Sequence, residues 1–146
     1  MFNTAIAEIQ AGQKQSCWSW FILPTPPYIV NGAERGSSMN KKFALRDDNQ
    51  TKAYLLLETI RGINLRLNYI AVLQEIEKQL LTEGGSTMTL DSLLGPMDAS
   101  KAISSFRLFE RIGRILEDEQ VYKLCERVLE LVEASSKRGF VRQFSL

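Results

Sequence analysis

A chain of 146 residues that is 45% hydrophobic and 24% charged is long enough to bury one core and too apolar to stay disordered. Eighteen Lys and Arg against seventeen Asp and Glu leave a net charge of +1, so no global field draws the chain to phosphate backbones or anionic lipid, and neither nucleic acid nor membrane is expected as a partner. Histidine is absent, which excludes a Ser-His or Cys-His nucleophile pair and ordinary zinc ligation; no metal site and no cofactor are expected.

Phe2, Ile6 and Ile9 recur at helical spacing and predict a first helix that ends near Gly12, a residue suited to a C-terminal cap. The run from Ser16 to Leu23 holds Trp18 and Trp20 and stops at Pro24, Pro26 and Pro27, whose fixed φ and missing N–H favour an extended path. Asn31-Gly32 and Gly36-Ser37-Ser38 mark an exposed loop. From Phe43 the pattern turns helical, with Asp47 or Asp48 as N-cap ahead of Ala53, Tyr54 and Leu57. Ile63, Leu67, Ile70, Leu73, Ile76 and Leu80 then form one apolar stripe, with Arg66, Glu75 and Lys78 facing outward.

Glu83 to Thr87 breaks that helix, and a short turn runs from Thr89 to Leu94. Asp98 reads as the N-cap of a helix carrying Ile103, Phe106, Phe109, Ile112 and Leu116 on one face, in which Gly113 either weakens the helix or permits close packing. Val121, Leu124, Cys125, Val128, Leu131 and Val132 form the last stripe, fraying near Lys137-Arg138-Gly139. No alternation of period two is long enough to require a sheet. The expected fold is all-α: a single compact, orthogonal helical domain over 1–146 of about five to seven helices, with an irregular Trp/Pro-rich segment near the N-terminus and a disordered tail from about 137. No stretch has the order of a secretory signal and no apolar run approaches a bilayer span, and Cys17 and Cys125 read as reduced thiols. The expected location is cytoplasmic.

The segment Lys14-x-Ser16-Cys17-Trp18-Ser19-Trp20-Phe21-Ile22-Leu23-Pro24 resembles the signature of the family catalogued as domain of unknown function 1810, whose members usually read K-x-S-H-W-M-W-F-I-F-P. Phe43-Ala44-Leu45, Ala53-Tyr54-Leu55 and Leu65-Arg66 are similar to that family's Y-A-I, A-x-Y-L and R-L stretches, in the same order. Leu94-Gly95-x-x-Asp98-x-x-Lys101-x-x-Ser104-Ser105-x-x-Leu108-Phe109 is similar to its F-G-x-x-D-x-x-K-x-x-S-S-M-T-L-F segment. Cys17 replaces the usual His, so an imidazole role there is not carried over. The chain begins partway into what resembles the family's first helical region, and an upstream segment is expected to be missing. The resemblance implies a mainly helical domain and no established activity.

Two groups of residues are candidates for a site. Trp18 and Trp20 either pack the interior or offer a ring on which a planar ligand stacks. Asp98, Lys101, Ser104 and Ser105 cluster near the positive end of their helix, an arrangement that suits an anion, and Arg46 can add a fork for phosphate or carboxylate. The alternative for these is a cap, solvated charge and small packing residues. No function is fixed by these features; the leading reading is a small polar or anionic, nucleotide-like ligand bound between the Trp18–Pro24 segment and the Asp98–Phe109 helix. The rival is a helical protein-interaction module using Pro24 to Tyr28, without catalysis. Catalysis by Asp98, Lys101 or Cys17 stays open, with no reaction class implied, and the oligomeric state is not legible.

Overall fold

The computed structural model describes the backbone of residues 1–81 and 88–144 and, within these, every side chain but those of Trp20 and residues 136–144. The elements run α1 (Phe2–Gln10), α2 (Ser19–Ile22), β1 (Tyr28–Val30), β2 (Ala33–Arg35), α3 (Ser38–Phe43), α4 (Asp48–Leu56), α5 (Leu65–Leu80), α6 (Leu90–Leu94), α7 (Pro96–Ile115) and α8 (Glu119–Phe144). The fold is mostly helical, as expected; α2 and α6 are single turns, so six longer helices remain among the described residues. The predicted break from Glu83 to Thr87 lies outside the described residues.

Local chemistry sets most of the boundaries. α1 ends where Gly12 takes φ +85°, with Gly12 N–H donating to the Ile9 carbonyl at 3.0 Å and Gln13 N–H to that of Glu8 at 3.1 Å, the paired bonds of a Schellman cap. Ser37, Asp47, Asn64 and Thr89 each accept a backbone N–H in the first turn of the helix they precede. α7 starts at Pro96 behind Gly95, and Asp98 is not its N-cap. Proline fits the first helical position because the N–H it lacks would find no partner there, and the Asp98 carboxylate is engaged elsewhere.

A hairpin is present that the sequence pattern does not require. β1 and β2 pair antiparallel across Asn31-Gly32, with Tyr28 opposite Arg35, Ile29 opposite Glu34 and Val30 opposite Ala33. Asn31 and Gly32 have φ of 52° and 78°, the left-handed pair that a type I′ turn needs and that Asn-Gly adopts at least cost. Strands of three residues are too short for alternation to register, so the dipeptide is their only mark. α3 likewise replaces part of the expected loop, capped by Ser37.

The core is one contiguous cluster drawn from α1, α2 and α4 to α8. Its centre is aromatic: the Tyr69 and Phe109 rings stack at 4.2 Å, Tyr54 meets Phe109 edge-on at 5.2 Å, and the Tyr69 hydroxyl and Ser105 Oγ share a hydrogen bond of 3.0 Å. The stripe of α5 is shifted from its expected start, since Ile63 and Leu67 are more than half exposed while Tyr69 and Val72 are buried. The first turn of α5 overhangs the core, and packing begins only at Tyr69. No helix among the described residues is long and apolar enough to cross a membrane.

α7 and α8 share the most extensive helix–helix packing among the described residues. Their link turns through Glu117, at φ 56°, and Asp118, whose carboxylate receives both Nε of Arg66 at 2.8 Å and Nη2 at 2.9 Å, so α5 is tied to the corner where α8 begins. The Arg66 fork holds the Asp118 carboxyl below its ordinary value, and Arg66 itself is raised by the same bond. Gly113 permits the approach: a Cβ there would stand 3.1 Å from Tyr122 Cβ, 3.2 Å from the Tyr122 backbone nitrogen and 3.2 Å from Val121 Cγ1. Gly113→Val is expected to lower the unfolding free energy by about 2 kcal/mol, the scale of overpacking a tight interface, in urea melts. An unchanged midpoint would mean that the two helices separate freely.

Candidate ligand site

The segment between α1 and α2 is organised by one carboxylate. Glu8 Oε1 accepts the backbone N–H groups of Gln15 at 2.6 Å and Ser16 at 2.8 Å and the Trp18 indole N–H at 3.0 Å, while Oε2 accepts the Ser16 hydroxyl at 2.6 Å. These donors favour the charged form, and the Ser16 hydroxyl most of all, so the Glu8 carboxyl is lowered from 4.5 to about 2 against the opposing effect of burial. Trp18 is thereby fixed with its ring buried, 1% exposed.

Lys14 lies at the same corner. Its backbone N–H donates to the Leu93 carbonyl at 2.7 Å, its ammonium stands 5.2 Å from the Trp18 ring centroid, and Nζ reaches Asp98 Oδ2 at 2.8 Å with only 8% of the side chain exposed. Asp98 Oδ1 is 3.9 Å from Lys101 Nζ. One carboxylate thus faces two lysines, and the group of three carries a surplus positive charge. The nearer partner is Lys14, so the surplus falls on Lys101, which is a third exposed.

Lys101 lines a cleft of about 760 Å³, within the range of small-molecule sites. One wall is the α7 face of Pro96, Met97, Ser100, Lys101 and Ser104. The other is the extended Thr25–Tyr28 segment with Glu34 and Arg35 of β2, joined by Gly36, Ser37 and Asn40. The proline segment is held in place by the Leu45 N–H, which donates to the Thr25 carbonyl at 2.9 Å. Arg35 makes no ion pair among the described residues, whereas Glu34 Oε1 meets Arg46 Nη2 at 2.5 Å.

Of the residues singled out from sequence, Lys101 and Ser104 lie on the wall, Asp98 touches Lys101 from behind, and Arg46 reaches the cleft through Glu34. Trp18 and Ser105 point into the core, the first bonded to Glu8 and the second to Tyr69, and neither borders the cleft. The side chain of Trp20 lies outside the described residues. Cys17 is exposed and Cys125 buried, both free thiols; burial pushes the Cys125 thiol up to about 12, which makes it inert. Lys14, three residues before Cys17, is already committed to Asp98. Glu34, Arg35 and Ser100 were not singled out from sequence, and the Asn-Gly turn is the signal that would have brought the first two forward.

The family model described as Protein of unknown function (DUF1810) matches residues 1–135, and the chain belongs to that family. Among solved structures, the crystal structure of the conserved hypothetical protein Rv1873 from Mycobacterium tuberculosis is similar, with a TM-score of 0.69 and 18% identity over 99% of this chain and 89% of that one. That likeness establishes the fold. No curated protein matches in sequence.

The Glu8 clamp has a pH signature. Its folded-state value lies below the ordinary 4.5, so its contribution is complete above that pH and is lost as the pH falls toward about 2. Glu8→Gln is expected to cost about 1 kcal/mol near neutral pH and to narrow the gap to wild type near about pH 3, as urea melts at both pH values would read. An equal gap at both would show that the carboxylate charge contributes nothing.

Proposed function

We propose that the chain binds a small polar or anionic ligand, nucleotide-like in size, in the cleft between the Thr25–Tyr28 segment and α7. The observation that carries this reading is Lys101: its charge is in surplus because Asp98 is taken first by Lys14, and it borders a half-open cleft beside Ser100, Ser104 and Arg35. Such a group attracts an anion, and hydroxyls at its side supply neutral hydrogen bonds. Tyr28, Pro26, Pro27 and Met97 give the same cleft an apolar surface for a flat ligand body. The cytoplasm is the compartment we assign, a reading supported by the two free thiols.

Thermal unfolding with AMP, ADP or pyrophosphate added tests this. Ligand in about hundredfold excess over its dissociation constant stabilises a folded protein by about 2.7 kcal/mol, which is a rise of several degrees. Lys101→Ala with Arg35→Ala is expected to abolish the rise while leaving the unliganded melting temperature within about two degrees, since Arg35 is exposed and Lys101 gives up only a long ion pair with Asp98. No rise with any of the three compounds would overturn the reading.

The rival reading, a helical interaction module, draws on Tyr28 and Ile29, which are 66% and 55% exposed. Ile29 does not line the cleft. An Ile29→Ser variant that loses a purified partner and keeps nucleotide stabilisation would favour that rival.

A further inference from the structure

We propose that Glu34 selects the ligand: the cleft takes a two-ended molecule whose anionic group sits at Lys101 and Arg35 and whose hydroxyls donate to the Glu34 carboxylate. This rests on the cleft-binding reading and adds the chemistry of the second end. Glu34 lines the cleft with its side chain 30% exposed. Only Oε1 is engaged, by Arg46, and Oε2 has no partner among the described residues. A carboxylate accepts hydrogen bonds and donates none, so an open oxygen on a cleft wall repels an anion and selects a donor.

The carboxylate is also held in place. Arg46 donates to the Lys41 carbonyl, to the Ala44 carbonyl at 3.3 Å and, through its backbone N–H, to Gln50 Oε1 at 2.6 Å, so its guanidinium is pinned at the α3–α4 junction. Its remaining bond carries that rigidity to Glu34 at 2.5 Å. Arg46 is therefore a positioning residue for the wall.

Charge decides which donor fits. Arg46 already matches the Glu34 charge, and an ammonium in the cleft would meet Arg35 and Lys101 as like charges. Neutral hydroxyls meet the open oxygen without that conflict. A vicinal diol does so with two donors, the same pairing by which an acidic residue holds a ribose in dinucleotide-binding folds. Opposite chemical characters in one cleft of about 760 Å³ then define a ribose phosphate with an attached flat base over Tyr28 and the prolines.

The probes are AMP and 2′,3′-dideoxy-AMP, titrated by calorimetry into the wild type and Glu34→Gln. Wild type is expected to bind AMP about tenfold more tightly than the dideoxy compound, the scale of a charged hydrogen bond, and Glu34→Gln to bring the two within about twofold. Equal affinity of wild type for both overturns the role of Glu34 and leaves the cleft-binding reading standing. A preference that survives Glu34→Gln overturns it too, since the diol is then read elsewhere. No binding of either compound by wild type overturns the role of Glu34, and a failure of ADP and pyrophosphate to raise the melting temperature as well overturns the cleft-binding reading with it. The wild-type comparison needs no variant to fold, so the outcome does not depend on the stability of Glu34→Gln.

Discussion

The arrangement depends on how the carboxylate of Glu8 is used. An ionised side chain at the end of a helix could have stayed in water, yet here it collects four donors from a segment of four residues, Gln15 to Trp18. Hydrogen bonds to a charged acceptor are the stronger kind, and these replace the ladder that the segment lacks because it is neither helix nor strand. The Trp18 ring can then enter the core with its one polar atom satisfied, which is the condition for burying an indole. α2 follows directly and inherits its position from that anchor.

From this corner a second interaction reaches the cleft. Lys14 is turned inward by the same segment and takes Asp98, and that choice decides the electrostatics of the α7 face. Were Asp98 shared with Lys101 alone, the pair would be neutral. With Lys14 closer by about an ångström, the charge facing the cleft is left unmatched. Lys14, in the signature-like stretch, thus acts on the cleft indirectly: it lies outside the lining and takes Asp98, which in turn faces Lys101 on the wall.

Much of the helical frame was legible because periodicity and caps are local. Gly12 and Asp47 end and begin helices as their chemistry requires, and the apolar faces of α7 and α8 follow from spacing alone. The hairpin was hidden by strands too short to alternate, and Asp98 reads as a cap until Pro96 is weighed as the better first-turn residue. In the site, Lys101 and Ser104 lie three apart and share the cleft face, whereas Ser105 is about 100° further round the helix and turns to Tyr69. Spacing distinguishes such neighbours only once the direction of the core is known. The Glu34–Arg46 link joins residues across a hairpin and a short helix, and no local pattern announces it.

The separation in sequence of these contacts bears on how the chain folds. The bonds to Glu8 span seven to ten residues, a loop short enough to close early and at small entropic cost. Lys14 to Asp98 and Arg66 to Asp118 close far longer stretches and must await the meeting of distant helices. The bonds inside the N-terminal corner are therefore local, whereas its docking against α5, α6 and α7 joins parts distant in sequence. The surplus charge at Lys101 comes into being only at that docking, so the electrostatic character of the cleft is a property of the completed fold and of no intermediate that precedes it.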